Sequence, residues 1–144
     1  MAAQLTRVLP MPIIRTSVPK NTSTETKGLI VQGIHDALVD ALDMPEDELF
    51  NLVSTYSKED FFYSRSFNGI ARTDNLICIE ITMRRGRSDA MKKAMYSKIS
   101  SNLIEKAGIS PKDIFIFNHE NDYSDWSVGN GVFAMQIAQQ RGGD

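Results

Sequence analysis

An internal repeat constrains this chain more than any other feature. Sliding the sequence by about 65 residues lays Ile30 on Met95, Ile34 on Ile99 and Leu38 on Leu103. The same shift sets the Met44-Pro45 turn beside Ile109-Ser110-Pro111. Each copy reads as strand, helix, strand, so the chain is a duplicated β-α-β unit. A β-α-β crossover makes its two strands parallel, and it needs a helix long enough to span back over the sheet. Two copies give an α+β fold: a four-stranded mixed sheet with two helices on one face.

The local signals agree with that division. Residues 12–18 are short and β-branched, which suits a strand. Thr22 and Glu25 have the spacing of a capping box, and Ile30, Ile34, Leu38 and Ala41 with Ala37 form one apolar stripe. Residues 25–42 are therefore an amphipathic helix, broken by Met44-Pro45-Glu46-Asp47 before a strand at 49–57. In the second copy residues 76–83 are a strand, and Ser88 caps a helix whose stripe is Met91, Met95, Ile99 and Leu103. Gly108 stands where a left-handed residue ends a helix, and residues 114–119 form the last strand. Two pieces are left over: 61–72 between the copies, and a tail with Trp126 and Phe133. The sheet face opposite the helices needs cover, and a chain of 144 residues has little to spare. Another subunit is the expected cover, so the chain should be a homo-oligomer.

Sixteen Lys and Arg against eighteen Asp and Glu leave a net charge of −2. That balance excludes a protein whose main partner is nucleic acid or an anionic membrane. A single cysteine, Cys78, allows no intramolecular disulfide. No apolar run is long enough for a bilayer, and residues 1–10 are too short and broken for a signal peptide. A soluble, cytoplasmic, single-domain protein is the expectation.

Common catalytic signatures are missing. The glycines at 129 and 131 follow no strand–helix junction, so they form no phosphate loop. His35 and His119 lack ligand-spaced partners, and Cys78 lies within an apolar strand. Three features stand out instead. Arg84-Arg85-Gly86-Arg87 sits between a strand and a helix, where cations oppose the helix dipole. An anion there would meet arginine forks and free backbone N–H groups together; a solvated basic turn is the alternative. Asp125-Trp126-Ser127-Val128-Gly129-Asn130-Gly131 places the one Trp in a glycine-punctuated loop, as a pocket wall or an oligomer contact. Met11-Pro12 opens the first strand, and cleavage between them would leave a secondary amine at the strand tip.

Together these motifs resemble the tautomerase superfamily, in its malonate semialdehyde decarboxylase-like branch. Similar members begin with Met-Pro, here Met11-Pro12, and carry a Val-Pro-x-x-Asp-like turn, here Met44-Pro45-Glu46-Asp47-Glu48. A Gly-x-x-Arg-Ser-like segment is matched by Gly69-Ile70-Ala71-Arg72-Thr73, and an Arg-Pro-Arg-Ser-like turn by Arg85-Gly86-Arg87-Ser88. The Asp-Trp-Ser-Phe-Gly-x-Gly close is matched at 125–131.

The resemblance implies the tautomerase fold, a homotrimer, a small keto-acid substrate, and no metal or organic cofactor. It makes Pro12 the catalytic residue. Because a proline amide nitrogen is neither basic nor nucleophilic, Pro12 can act only as a free N-terminus. Residues 1–11 are then an N-terminal extension, a mis-start or expression scar, before one domain at 12–144. Arg85 and Arg87 match the paired arginines that grip a substrate carboxylate, and Glu48 stands in place of an aspartate. Trp126 would line the pocket, with Val128 replacing a phenylalanine. The implied activity is keto–enol tautomerisation of a small keto acid. The alternatives are decarboxylase or hydratase activity on malonate semialdehyde, or a non-catalytic ligand-binding module should Pro12 never be exposed.

Overall fold

The computed structural model describes residues 11–134. Four strands and two long helices follow in the order β1 (Ile13–Pro19), α1 (Thr24–Leu42), β2 (Asn51–Tyr56), β3 (Ile77–Arg84), α2 (Asp89–Ala107) and β4 (Ile114–Asn121). Across the sheet the order is β2-β1-β3-β4. Each copy forms a parallel pair, β1 with β2 and β3 with β4, and the copies join through the antiparallel pair β1–β3. The result is the mixed four-stranded sheet that a β-α-β duplication implies.

Alternation along the strands builds the core. Ile14, Thr16 and Val18 on β1, and Ile77, Ile79, Ile81 and Met83 on β3, are all buried. Against them pack Ile30, Ile34 and Leu38 of α1 and Met95, Ile99 and Leu103 of α2. Met91, the first member of the second stripe, is only half-buried. The helices touch closely because Gly33 has no side chain. A Cβ there would stand 3.2 Å from Leu103 Cδ2 and 3.4 Å from Asn102 Cβ. The Asn102 amide uses this approach to donate to the Gly33 carbonyl at 2.9 Å.

The caps repeat as the strands do. Ser88 accepts from the Met91 N–H at 3.2 Å, as its position suggests. In the first copy the cap is Ser23, accepting from the Thr26 N–H at 3.1 Å, and not Thr22. Helix α1 starts at Thr24, one residue later than a Thr22–Glu25 box would place it, so Ser23 takes the cap position. Both helices end in a left-handed residue, Asp43 and Gly108.

The second sheet face is open among the described residues. Leu52, Arg15, Glu80 and Phe117 cross it in one row. Leu52 is 58% exposed and Phe117 37%, so this face still has apolar surface to cover. No described helix is long and apolar enough to cross a membrane. Among the described residues, every strand, both long helices and the core of the sheet–helix packing lie after Pro12.

Candidate active site at the Pro12 end of the sheet

Strand direction decides where the site lies. Because β1 and β3 are antiparallel, with Ile13 opposite Thr82, the start of β1 stands beside the end of β3. Pro12, which is buried, is thus next to Met83 and Arg84. Parallel pairing of β3 with β4 sets Asn121 opposite Arg84 and delivers residues 122–126 to the same corner. On the other side the Ile14 N–H donates to the Phe50 carbonyl at 2.9 Å. The half-buried Glu48, two residues upstream, therefore lies at this end as well. Four features far apart in sequence meet at one sheet end.

Tyr123 joins them. It is 6% exposed and forms a small cluster with Ala134, against which Met11 and Trp126 pack. Its ring carries the Arg84 guanidinium 4.2 Å from the centroid, a cation–π contact. The buried Arg84 Nε makes no hydrogen bond among the described residues. Arg87 is half-buried nearby. Burial, and then the Arg84 charge, hold its guanidinium below the usual arginine range, opposed by Tyr123 and Glu120. Two partly desolvated cations share this corner, and an anion between them would relieve both repulsion and desolvation.

Arg85 is engaged differently. Its side chain is 60% exposed, and Nε donates to Asp122 Oδ1 at 3.1 Å. That carboxylate raises the Arg85 pKa above its ordinary value. The Arg85 backbone N–H donates to the Asn121 carbonyl at 2.6 Å, and the Trp126 indole N–H donates to Asn121 Oδ1, also at 2.6 Å. Gly86, with φ of 124°, lets the chain pass from Arg85 to Arg87 in a conformation closed to other residues. Arg85 and Asp122 brace the two loops together, while Arg84 and Arg87 share Tyr123.

The remaining residues of interest fall as follows. Trp126 is half-buried in the Tyr123 cluster, whereas Val128 is 60% exposed and outside it. His35 is buried and donates from Nε2 to the Glu46 carbonyl at 2.8 Å, tying α1 to the turn before Glu48. His119 lies on the open sheet face, its Nε2 3.1 Å from Glu80 Oε2. A groove of about 650 Å³ lies on the helix side, lined by residues of both helices and by Glu46 and Leu49 of the turn, and not by Pro12. Its charges are largely matched within it, Asp36 with Lys106 at 2.8 Å and Asp40 with Lys98 at 3.8 Å. Sequence reasoning missed Tyr123. The one signal was an aromatic residue just after the last strand and three before Trp126.

Comparison with known proteins agrees with this geometry. Two family models described as tautomerase enzyme match the chain, at residues 48–129 and 12–62. The chain belongs to the tautomerase family. It is similar to the probable tautomerase YusQ of Bacillus subtilis (strain 168), at 32% identity over 87% of this chain and 98% of that one. Among solved structures it is similar to FG41 malonate semialdehyde decarboxylase inhibited by 3-bromopropiolate. That match has a TM-score of 0.82 and 26% identity over 89% of this chain and 96% of that one. The fold is also shared with a fused 4-OT wild type symmetric trimer, at a TM-score of 0.73 and 16% identity over 87% and 98% of the two chains. Within the family the resemblance runs to the malonate semialdehyde decarboxylase-like branch.

Proposed function

We infer that this protein is a keto–enol tautomerase of small 2-keto acids whose base is the free nitrogen of Pro12. The observation that carries the reading is the meeting of Pro12, Arg84 and Arg87 around Tyr123. Pro12 takes the proton from the enol oxygen and returns it to the neighbouring carbon. The C=C pair forms the new C–H bond as the oxygen becomes a carbonyl. Arg84 and Arg87 hold the carboxylate and the charge developing on the oxygen. Arg85, the partner assigned to Arg87 by motif resemblance, acts through its brace to Asp122. Glu48 lies where its carboxylate favours the protonated amine, and Trp126 limits water.

The open sheet face and the trimeric 4-OT neighbour support assembly as a homotrimer. Decarboxylation or hydration is the second reading, favoured by the likeness to FG41 malonate semialdehyde decarboxylase. It uses a protonated Pro12 to polarise the carbonyl.

In a chain that retains Met11, the Pro12 nitrogen is an amide and can serve neither role. A chain beginning at Pro12 should convert phenylenolpyruvate about 100- to 10,000-fold faster than the 144-residue chain, the range for a positioned general base. Equal rates would remove the proline from the mechanism.

A further inference from the structure

Met11 occupies space that a substrate would need. Its carbonyl carbon is bonded to the Pro12 nitrogen, so it sits where a free amine would direct its lone pair. Whatever that amine acts upon must lie there. Met11 also adopts a φ of 47°, uncommon for a residue with a side chain. Its side chain packs against the cluster of Tyr123 and Ala134 together with Trp126. A flexible thioether fits an apolar, irregular cavity well. Tyr123 borders both halves of the corner, for its ring also carries Arg84 at 4.2 Å.

We propose that the space filled by Met11 is the subsite for the apolar tail of the substrate. The preferred substrates are then 2-keto acids bearing an unbranched or aromatic substituent at least as large as the four heavy atoms, roughly, of a methionine side chain. The carboxylate lies on Arg84 and Arg87, the reacting carbon lies against Pro12, and the tail lies on Tyr123, Trp126 and Ala134. A three-carbon acid such as malonate semialdehyde leaves this subsite empty. The inference deepens the tautomerase reading and takes its orientation from it, yet binding alone reads it out.

The test is isothermal titration of pyruvate, 2-oxobutanoate, 2-oxohexanoate and 2-oxooctanoate into the chain beginning at Pro12 and into the full chain. Affinity should rise about fourfold with each methylene buried, through 2-oxohexanoate, and then level off. The full chain, with Met11 in place, should show no such rise. Trp126→Ala in the chain beginning at Pro12 should flatten the series, and Trp126→Phe should restore most of it. A flat series in the chain beginning at Pro12, or an equal rise in the full chain, overturns the subsite. Steep binding without turnover would retire the proline chemistry and leave the subsite standing. Turnover with flat binding would do the reverse.

Discussion

The two ends of the sheet are related by the repeat, and on the proposed function they take opposite roles. At one end the start of β1 meets the turn after β3; at the other the start of β3 meets the turn after β1. The equivalence is close: Ser23 and Ser88 both cap helices, and Asp43 and Gly108 both end them, each pair 65 positions apart. The same spacing relates Glu48 to Asp113 and the Pro19–Thr22 turn to Arg84–Arg87. At the Asp113 end the buried carboxylate and the two neighbouring phenols all bond within the chain. Asp113 is 2% exposed and accepts from the Thr73 backbone N–H at 2.8 Å and its hydroxyl at 2.6 Å. Tyr63 donates to the Thr73 carbonyl, and Tyr56 donates to the Leu76 carbonyl at 2.6 Å. Burial is the largest cause that pushes the Tyr56 phenol well above its ordinary pKa, so it remains a neutral donor. That end is a clamp holding residues 61–75 to the sheet. The Pro12 end instead gathers two half-buried cations, Arg84 and Arg87, beside one phenol ring. One half of a duplicated fold can carry reactive groups because the other half secures the structure.

Substitutions at the Pro12 end should therefore change turnover before stability. After the loss of the free Pro12 amine, the largest effect should come from Arg84→Ala and Arg87→Ala. Each should lower kcat/KM about a hundredfold or more in the chain beginning at Pro12, as for one charge-stabilising donor. Steady-state kinetics with phenylenolpyruvate would measure this. A smaller effect should follow Arg85→Ala or Asp122→Ala, roughly two- to fivefold each, because an exposed, solvent-screened ion pair contributes little. Their double mutant should be no worse than either alone, as a thermodynamic cycle would reveal. Should Arg85→Ala match Arg87→Ala instead, the motif spacing describes the site better than the side-chain placement. Glu48→Asp with Val128→Phe should shift the ratio of malonate semialdehyde decarboxylation to tautomerisation upward by a few-fold, since placement of a reacting acid is sensitive to about 1 Å. The smallest effect belongs to the seam between the repeats. Gly33→Ala should change stability by about 1 kcal/mol or less in urea denaturation, as better helix propensity is offset by crowding against Leu103 and Asn102.

Much of this was legible in the sequence for a physical reason. Helix stripes and β-branched strands repeat at a fixed interval, and burial preserves such periodicity. Ile30, Ile34, Leu38, Met95, Ile99 and Leu103 are all in the core as their spacing implies. The corner at Pro12 was legible only in part. Pro12, Glu48, the basic turn and Trp126 were visible as types, but which arginine faces which neighbour depends on side-chain direction at a glycine-bearing turn. Spacing puts Arg84 and Arg85 one residue apart, whereas pairing places Arg84 on Tyr123 and Arg85 on Asp122. Tyr123 itself has no periodic signal, since it follows the end of β4 among polar residues.

The division between the two ends is tested most directly by paired substitution of the equivalent carboxylates in the chain beginning at Pro12. Glu48→Gln should raise kcat/KM up to about tenfold on the acidic side of the profile and move its acidic limb to lower pH, because removing a carboxylate lowers the pKa of the Pro12 amine. Its Tm should stay within about 2 °C. Asp113→Asn should lower Tm by roughly 5–10 °C, the cost of mispairing a buried acceptor with Thr73, while kcat/KM per folded molecule is retained. Such a crossover is the expected result. A loss of turnover from Asp113→Asn without a loss of stability, or a loss of stability alone from Glu48→Gln, would contradict the separation of a chemical end from a structural one.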